Sequence, residues 1–505
     1  MTVAQSSRDT LVAASSAGTV ALLALIAAAS RALPPSQQLL LGASVALSAV
    51  AAFACSRLIE SQQTREMFLS AGIRGIDLNK ATTQRDTAGN LVRPISGVPI
   101  PEAQGMVTAA VYVLALAVFI PFACAGFQAA EGSGAPFPHE RLSEFLAALL
   151  SIMLAAFLGF ADDVLDLRWR HKIPLPLFAN LPLLLVYGAS GGLTGVAVPL
   201  QLQPLLGPYL ELSLLFYVFL LALALLATHA INILAGVNGL EVGQSVVLAA
   251  AVATLNAVQL LRTAADADAA EYQRHQVPTS PHLSTRLSSP AAPFGSAAAR
   301  LCSGRISTRT GLSPPRLQVA SLLLVLPFLG VSLALMRLNW FPSRVFVGDT
   351  YAYFAGGFLA AVAIVGHFSK TMVLLLAPQF LNYAYSAPQL LRWIPIPRHR
   401  MPAFDARTGL VSNSYATLVE AELSRPGRAT LWLLRTFRLA KVLPPDESGV
   451  TRVSNLTLIN LSLYWMGPCR EDVLCTRMLA FQALCAAATF AVRFGLAGLF
   501  YSVVR

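Results

Sequence analysis

Gly159-Phe160-Ala161-Asp162-Asp163-Val164-Leu165-Asp166-Leu167-Arg168-Trp169-Arg170-His171-Lys172 sets three carboxylates and four basic or imidazole side chains directly behind an apolar run, Phe145 to Phe160. That run is most of the length a membrane helix needs, and charges at such a depth are expensive and seldom idle. Two adjacent aspartates at a helix end, followed by a cationic loop, suit a site that handles phosphates and a metal ion at a membrane surface. The plainer reading is a positive-inside loop with a solvated acidic cap.

Composition points the same way. Hydrophobic residues make up 55% of the 505-residue chain, charged ones 12%, and the mean hydropathy is +0.62. No soluble domain of this size needs so much apolar surface. The formal charge of +11 comes mostly from loop arginines. They form no continuous stripe, so anionic headgroups and phosphorylated substrates suit them better than nucleic acid. Six cysteines, Cys55, Cys124, Cys302, Cys469, Cys475 and Cys485, lack CxxC spacing, which argues against a disulfide framework or a zinc site.

About eleven stretches satisfy the ~20-residue requirement for a membrane helix. They lie near 12–31, 39–59, 104–126, 143–161, 174–190, 210–228, 240–261, 317–336, 350–367, 370–391 and 478–500. The expected fold is an all-α polytopic membrane bundle of about 10–11 spans. Its catalytic bundle covers 36–392, with a small cytosolic α/β appendage at 393–477 and a last helix at 478–505. Residues 1–35 are an extra apolar segment that reads as a true helix, a signal anchor or a cleaved signal peptide. Residues 263–316, rich in Ala, Ser, Pro and Arg without apolar periodicity, read as a disordered lumenal insertion.

Loops 60–103, 162–173, 337–349 and 392–477 carry most of the Lys and Arg, which makes their side cytosolic. The arginine-rich insertion falls on the other side, where long loops weigh little in that rule. Asn455-Leu456-Thr457 and Asn460-Leu461-Ser462 are glycosylation sequons by pattern. On this topology they face the cytosol and stay bare.

Other polar clusters fall on the same face. Asn232 to Glu241 interrupts two apolar helices with amides and glycines that let a ligand approach the backbone, although an ordinary turn has the same look. Asp349, at the start of the ninth run, is an N-cap or a metal ligand; Asn232 on another loop and Phe346 three residues earlier favour the second. Arg398 and Arg400 flank His399 and form a grip suited to a diphosphate, or a basic stop signal. Acids, amides, a lysine and an arginine pair at one membrane face imply transfer of a phosphorylated group from a soluble nucleotide donor to a lipid.

These words together resemble the eukaryotic UDP-N-acetylglucosamine:dolichyl-phosphate N-acetylglucosamine-1-phosphate transferases, the tunicamycin-sensitive branch of the polyprenyl-phosphate sugar-phosphate transferases. The resemblance rests on Asp77 to Lys80, Ile100 to Gly105, Gly159 to Lys172, Ala230 to Ser245, Pro342 to Thr350, Gly366 to Met372 and Pro397 to Pro402. A weaker match, Leu456 to Leu461 with the final helix, extends it nearly to the end. It implies Mg2+ held by Asp349 and Asn232. It also implies that Lys172, Arg398 and Arg400 grip the diphosphate and sugar, with His399 near the acetamido group. Phe346 and Gly236 would sandwich uracil, Asn238 and the Leu78 backbone would read its edge, and Glu102 would shape the sugar pocket. Asp163, with Asp162, would activate or orient the acceptor phosphate. The expected partners are UDP-GlcNAc, dolichyl phosphate and membrane lipid. The resemblance further suggests the endoplasmic reticulum membrane, with the site facing the cytosol, and often a homodimer.

Three features depart from the family pattern: His229 in place of an asparagine, a longer loop between Lys80 and Glu102, and the extra segments at 1–35 and 263–316. Other readings have less support. A prokaryotic-type relative would lack the Pro397-Arg398-His399-Arg400 word, and a broken-helix transporter would put its polar groups near the midplane. A non-catalytic scaffold would not need Asp349, Lys172 or the arginines.

Overall fold

The structure, a computed structural model, describes residues 3–77, 99–132, 134–165, 167, 172–190, 192, 194–276, 314–397, 400–405 and 407–501. Leu78, Arg398 and His399 lie outside these residues, as does most of the 263–316 insertion.

Apolar runs become helices wherever they are long enough to satisfy their own backbone. The chain opens with α1 (Val3–Ser30) and α2 (Pro35–Glu60), the second begun by a proline whose missing N–H costs a helix nothing at that position. After α3 (Gln62–Ser70), β1 (Arg74–Gly75) pairs antiparallel with β2 (Ile100–Pro101). Then come α4 (Gly105–Ala129), α5 (His139–Leu165) and α6 (Leu175–Ala189). Strands β3 (Gly195–Ala197) and β4 (Tyr209–Glu211) enclose the single turn α7 (Gln203–Leu206). Helices α8 (Leu214–Ile233), α9 (Leu240–Gln276), α10 (Pro314–Asn339) and α11 (Gly348–Val365) complete the centre.

Among the described residues, nine helices are long and apolar enough to cross a membrane: α1, α2, α4, α5, α8, α9, α10, α11 and the last. The chain is a multi-pass membrane protein. The other two apolar stretches are helical but shorter or broken. α6 falls short of the spanning length. The 370–391 stretch divides at Leu376 into α12 (Ser369–Leu375) and α13 (Ala377–Leu390). Pro378 is the reason: it has no N–H for the carbonyl one turn earlier, and its ring crowds that carbonyl. α9 runs on to Gln276, into the stretch expected as loop.

The segment after α13 folds around its own small core of Ile394, Leu418, Leu431, Leu434, Ala440, Val453 and Leu456. It contains β5 (Ala403–Asp405) with β6 (Leu410–Ser412), then β7 (Tyr415–Val419), α14 (Arg425–Thr436), β8 (Val442–Leu443), β9 (Val450–Ser454) and α15 (Leu458–Met466). The sheet order is β7-β9-β8, all antiparallel. Both sequon asparagines are buried in it: Asn455 Nδ2 donates to Ser414 Oγ at 2.9 Å, and Asn460 Oδ1 accepts from Ser414 N at 2.9 Å. The last helix, α16 (Glu471–Phe490), starts earlier than the expected 478, because Glu471 and Asp472 suit a helix N-terminus that apolarity alone does not reveal. A π-helical turn, Ala491–Leu496, and α17 (Ala497–Phe500) continue it.

α11 is the axis of the bundle, buried along nearly its whole length. Small residues let its neighbours come close. A Cβ on Gly159 of α5 would lie 2.7 Å from Thr350 Cα, and one on Gly356 would lie 2.3 Å from Thr228 Cα of α8. Association inside a membrane draws on such close packing, since lipid offers no hydrophobic drive between helices. Aromatics fill the opposite flank: the rings of Phe328 and Phe358 stack at 3.8 Å. Gly356→Val should therefore destabilise the fold by roughly 1–3 kcal/mol. Thermal unfolding of the purified full chain in detergent checks this, and an unchanged midpoint would contradict the packing.

Candidate functional site

The ends of α5 and α8 meet the starts of α9 and α11 at one face of the bundle, around a cleft of about 700 Å³. Its lining includes Glu102, Asp162, Asp163, Lys172, Asn232, Gly236, Asn238, Phe346 and Asp349. Residues as far apart in the chain as Asp77 and Glu471 thus line one cleft. A backbone seam holds the nearer side: Phe346 N donates to Pro101 O at 2.8 Å, Gln104 N to Phe346 O at 3.1 Å, and Gly105 N to Val347 O at 2.9 Å.

The adjacent aspartates at the end of α5 point to different partners, as neighbours on a helix must. Asp163 reaches the first turn of α11, where Asp349 N donates to its Oδ1 at 2.7 Å and Thr350 N to its Oδ2 at 3.0 Å, joined by the Thr350 hydroxyl. It is an N-cap supplied by another helix. Gly348 makes this closure feasible: its φ is +72°, and a Cβ there would lie 2.3 Å from Asp163 Oδ2. Asp163 was expected to activate or orient an acceptor; the structure has its two oxygens engaged by three donors.

Asp162 is buried and turns inward. Lys172 Nζ lies 2.8 Å from its Oδ1 and 3.2 Å from Asp349 Oδ2, bridging both carboxylates. Asn232 Nδ2 donates to Asp349 Oδ1 at 2.8 Å. Burial disfavours the Lys172 ammonium, but the Asp162 and Asp349 carboxylates outweigh that and hold its pKa above the ordinary lysine value. Asp162 Oδ2 remains buried without a hydrogen-bond partner. That orphaned oxygen, beside Asp349 and the Asn232 amide, is a hard-oxygen set that fits a magnesium ion. No three His, Cys, Asp or Glu among the described residues form a ready metal cage.

The far wall follows the turn between α8 and α9. Gly236 N donates to Glu241 Oε1 at 2.9 Å, and Gly239 N to Asn339 Oδ1 at 3.0 Å. Asn238 Nδ2 donates to Asp77 Oδ2 at 2.8 Å, while its backbone N donates to Glu471 Oε1 at 2.8 Å. Asp77, Glu241 and Glu471 thus belong to the site although none was singled out from sequence. Asp77 and Glu241 stood inside recognised words as unassigned acids. Glu471 follows the appendage and carries no pattern that would direct it to a turn 233 residues earlier.

Glu102 faces the Phe346 side. Burial, then the charges of Asp163 and Asp349, push its carboxyl above the usual range. Arg400 does not line the cleft as Met401 to Phe404 do; its Nη1 is buried without a partner, and burial lowers its pKa. His229 lies outside the lining, its ring 5.7 Å from that of Tyr353. The word from Gly366 to Met372 falls at the opposite end of α11, where burial and the Arg141 charge push His367 down to about 4.

The Asp163 cap generates a test. Asp163→Ala leaves the α11 amides without an acceptor and should cost about 2 kcal/mol or more, with Asp163→Asn recovering part of the loss. Thermal unfolding should give the order wild type, Asn, Ala; equal midpoints for all three would contradict the cap.

Comparison with known proteins agrees with this geometry. Residues 145–367 match glycosyl transferase family 4. Over 432 residues the chain is 37% identical to the UDP-N-acetylglucosamine–dolichyl-phosphate N-acetylglucosaminephosphotransferase of Saccharomyces cerevisiae, covering 82% of this chain and 83% of the yeast protein. The Dictyostelium discoideum protein of the same name is 37% identical over 429 residues, covering 84% and 82% respectively. That of Leishmania amazonensis is 31% identical over 494 residues, covering 86% and 90%. With more than four-fifths of each chain covered at 31% to 37% identity, the chain belongs to the UDP-N-acetylglucosamine–dolichyl-phosphate N-acetylglucosaminephosphotransferase family.

Proposed function

We infer that this chain transfers GlcNAc-1-phosphate from UDP-GlcNAc to dolichyl phosphate, giving GlcNAc-PP-dolichol and UMP, the first step of the lipid-linked N-glycan precursor. The observation that carries this reading is the Asp162–Lys172–Asp349–Asn232 cluster at the membrane face of a chain of this family.

The reaction has a definite balance. An oxygen of dolichyl phosphate forms a bond to the β-phosphorus of UDP-GlcNAc, and the bond from that phosphorus to the bridging oxygen breaks. The electron pair leaves with UMP. A phosphate is largely ionised near neutral pH, so the acceptor needs placement more than deprotonation. Asp163 acts by positioning: it fixes the first turn of α11 and so the place of Asp349. Lys172 keeps its proton and supplies a fixed cation to a diphosphate entering the cleft.

Magnesium would be held by Asp349 and Asn232, with the unpartnered Asp162 oxygen beside them, and when bound it supplies charge neutralisation on the diphosphate. Arg398, His399 and Arg400 are assigned the remaining phosphate and sugar contacts, Phe346 with Gly236 the uracil faces, Asn238 with Leu78 its edge, and Glu102 the sugar pocket. The arginine-rich loops on the cleft side support a cytosol-facing site in the endoplasmic reticulum membrane.

Membranes from cells expressing the chain, given radiolabelled UDP-GlcNAc and dolichyl phosphate, should pass label into organic solvent, and tunicamycin should block it. Chelation of divalent ions should abolish the signal and added Mg2+ should restore it. Asp349→Ala should lower turnover at least about a hundredfold, the scale for loss of electrostatic stabilisation at a reacting centre. Wild-type turnover by a folded Asp349→Ala protein would refute the metal assignment. No label from the folded wild type would refute the reaction.

A further inference from the structure

The loop that delivers Phe346 and Asp349 to the cleft is gripped at its other end by α1. Arg8 Nη2 donates to Pro342 O at 2.6 Å, and Trp340 Nε1 donates to Ser7 Oγ at 3.0 Å. This places the start of α1 at the same membrane face as the catalytic cleft. Between α1 and α10 runs an open groove of about 380 Å³, lined by Leu11, Val12, Ser15, Leu333, Met336 and Arg337 among others. Arg8 stands one turn before Leu11 and Val12, and Arg337 one turn after Leu333, so both arginines share the groove's faces at its membrane-surface end.

Charge gathers at that end. The Arg337 and Arg344 charges both act on Arg8, and Arg337 and Arg344 are exposed. Among the described residues the one carboxylate paired with any of the three is Glu60, 3.3 Å from Arg344; Asp9, which follows Arg8, is exposed. Arg8 Nε is buried without a hydrogen-bond partner. Three like charges beside one carboxylate call for an anion, and the apolar floor below them calls for hydrocarbon. A helix is about 10–12 Å across, so this volume would hold roughly one turn of it. A single acyl chain fits the dimensions better than a protein segment.

We propose that the α1–α10 groove binds one anionic glycerophospholipid, with an acyl chain along Leu11, Val12 and Leu333 and the phosphate among Arg8, Arg337 and Arg344. Basic pockets between membrane helices on the cytosolic side recognise headgroups in this way. A choline lipid brings its own cation and gains little from the cluster. None of the three arginines lines the catalytic cleft, so the site is separate from substrate binding.

The test uses the full chain in phosphatidylcholine nanodiscs titrated with phosphatidylglycerol, with retained lipid counted by native mass spectrometry after release. Wild-type protein should keep one phosphatidylglycerol in preference to phosphatidylcholine. Arg337→Gln should weaken retention about fivefold, and Arg337→Lys should restore most of it. Ser15→Phe, which fills the groove and leaves the charges in place, should also lose the lipid while thermal unfolding shows the protein folded. Retention by Arg337→Gln and Ser15→Phe equal to wild type would overturn the proposal. Displacement of the lipid by millimolar inorganic phosphate would also overturn it, because a bare anion site would then suffice. Equal retention of phosphatidylcholine would overturn the role of the arginines.

Discussion

A half-buried carboxylate needs donors and a helix start needs acceptors, and Asp163 meets both needs where α5 meets α11. Its two oxygens close on the Asp349 and Thr350 amides, so the end of one membrane helix becomes the cap of another. The joint fixes the rotation of α11 about its axis. It also leaves Asp162, one residue earlier and a third of a turn away, free to face Lys172 and Asp349. An adjacent pair of identical residues therefore divides into a positioning carboxylate and a cleft carboxylate. The difference comes from helical geometry, since the two side chains have the same chemistry.

A second tier of contacts holds the cleft's far wall. Asn238 is tied through its backbone to Glu471 at the start of α16, and through its side chain to Asp77 beyond β1. Segments from the beginning, middle and end of the chain thus converge on one turn. The turn between α8 and α9 bends through glycines, and without such ties its backbone amides would have no fixed direction. Groups carried on rigid helix ends, and locked by the Asp77 and Glu471 carboxylates that line the same cleft, are the arrangement that preorganised electrostatics requires.

The apolar runs were readable because a membrane helix must carry its own hydrogen bonds and a continuous apolar surface, both written locally in sequence. Each of the eleven stretches is mainly helical, but the bounds shift: the 210–228 stretch begins in the strand Tyr209–Glu211 and its helix is Leu214–Ile233, while the 240–261 helix runs on to Gln276. Where reading failed, the deciding force was not apolarity. Pro378 splits a run whose composition is that of one helix, and Glu471 begins a helix on charge, before its apolar part. That Asp162, Lys172, Asn232 and Asp349 would meet was readable because charges and amides at membrane helix ends have few idle explanations. The engagement of Asp163 as a cap was not readable, since it depends on a closeness between α5 and α11 that Gly159 permits and no local pattern states.

His229, the departure from the family's pattern, takes its meaning from what stands beside it. It sits one turn before Asn232 on α8, outside the cleft's lining, with its ring edge-on to Tyr353 and within electrostatic reach of the Ile173 backbone, Asp349 and Lys172. Ile173 is the residue next to Lys172. An imidazole here therefore stands behind the loop that presents the lysine. The Asp162–Lys172–Asp349–Asn232 cluster is whole with His229 behind it, because none of the contacts that join it runs through the imidazole.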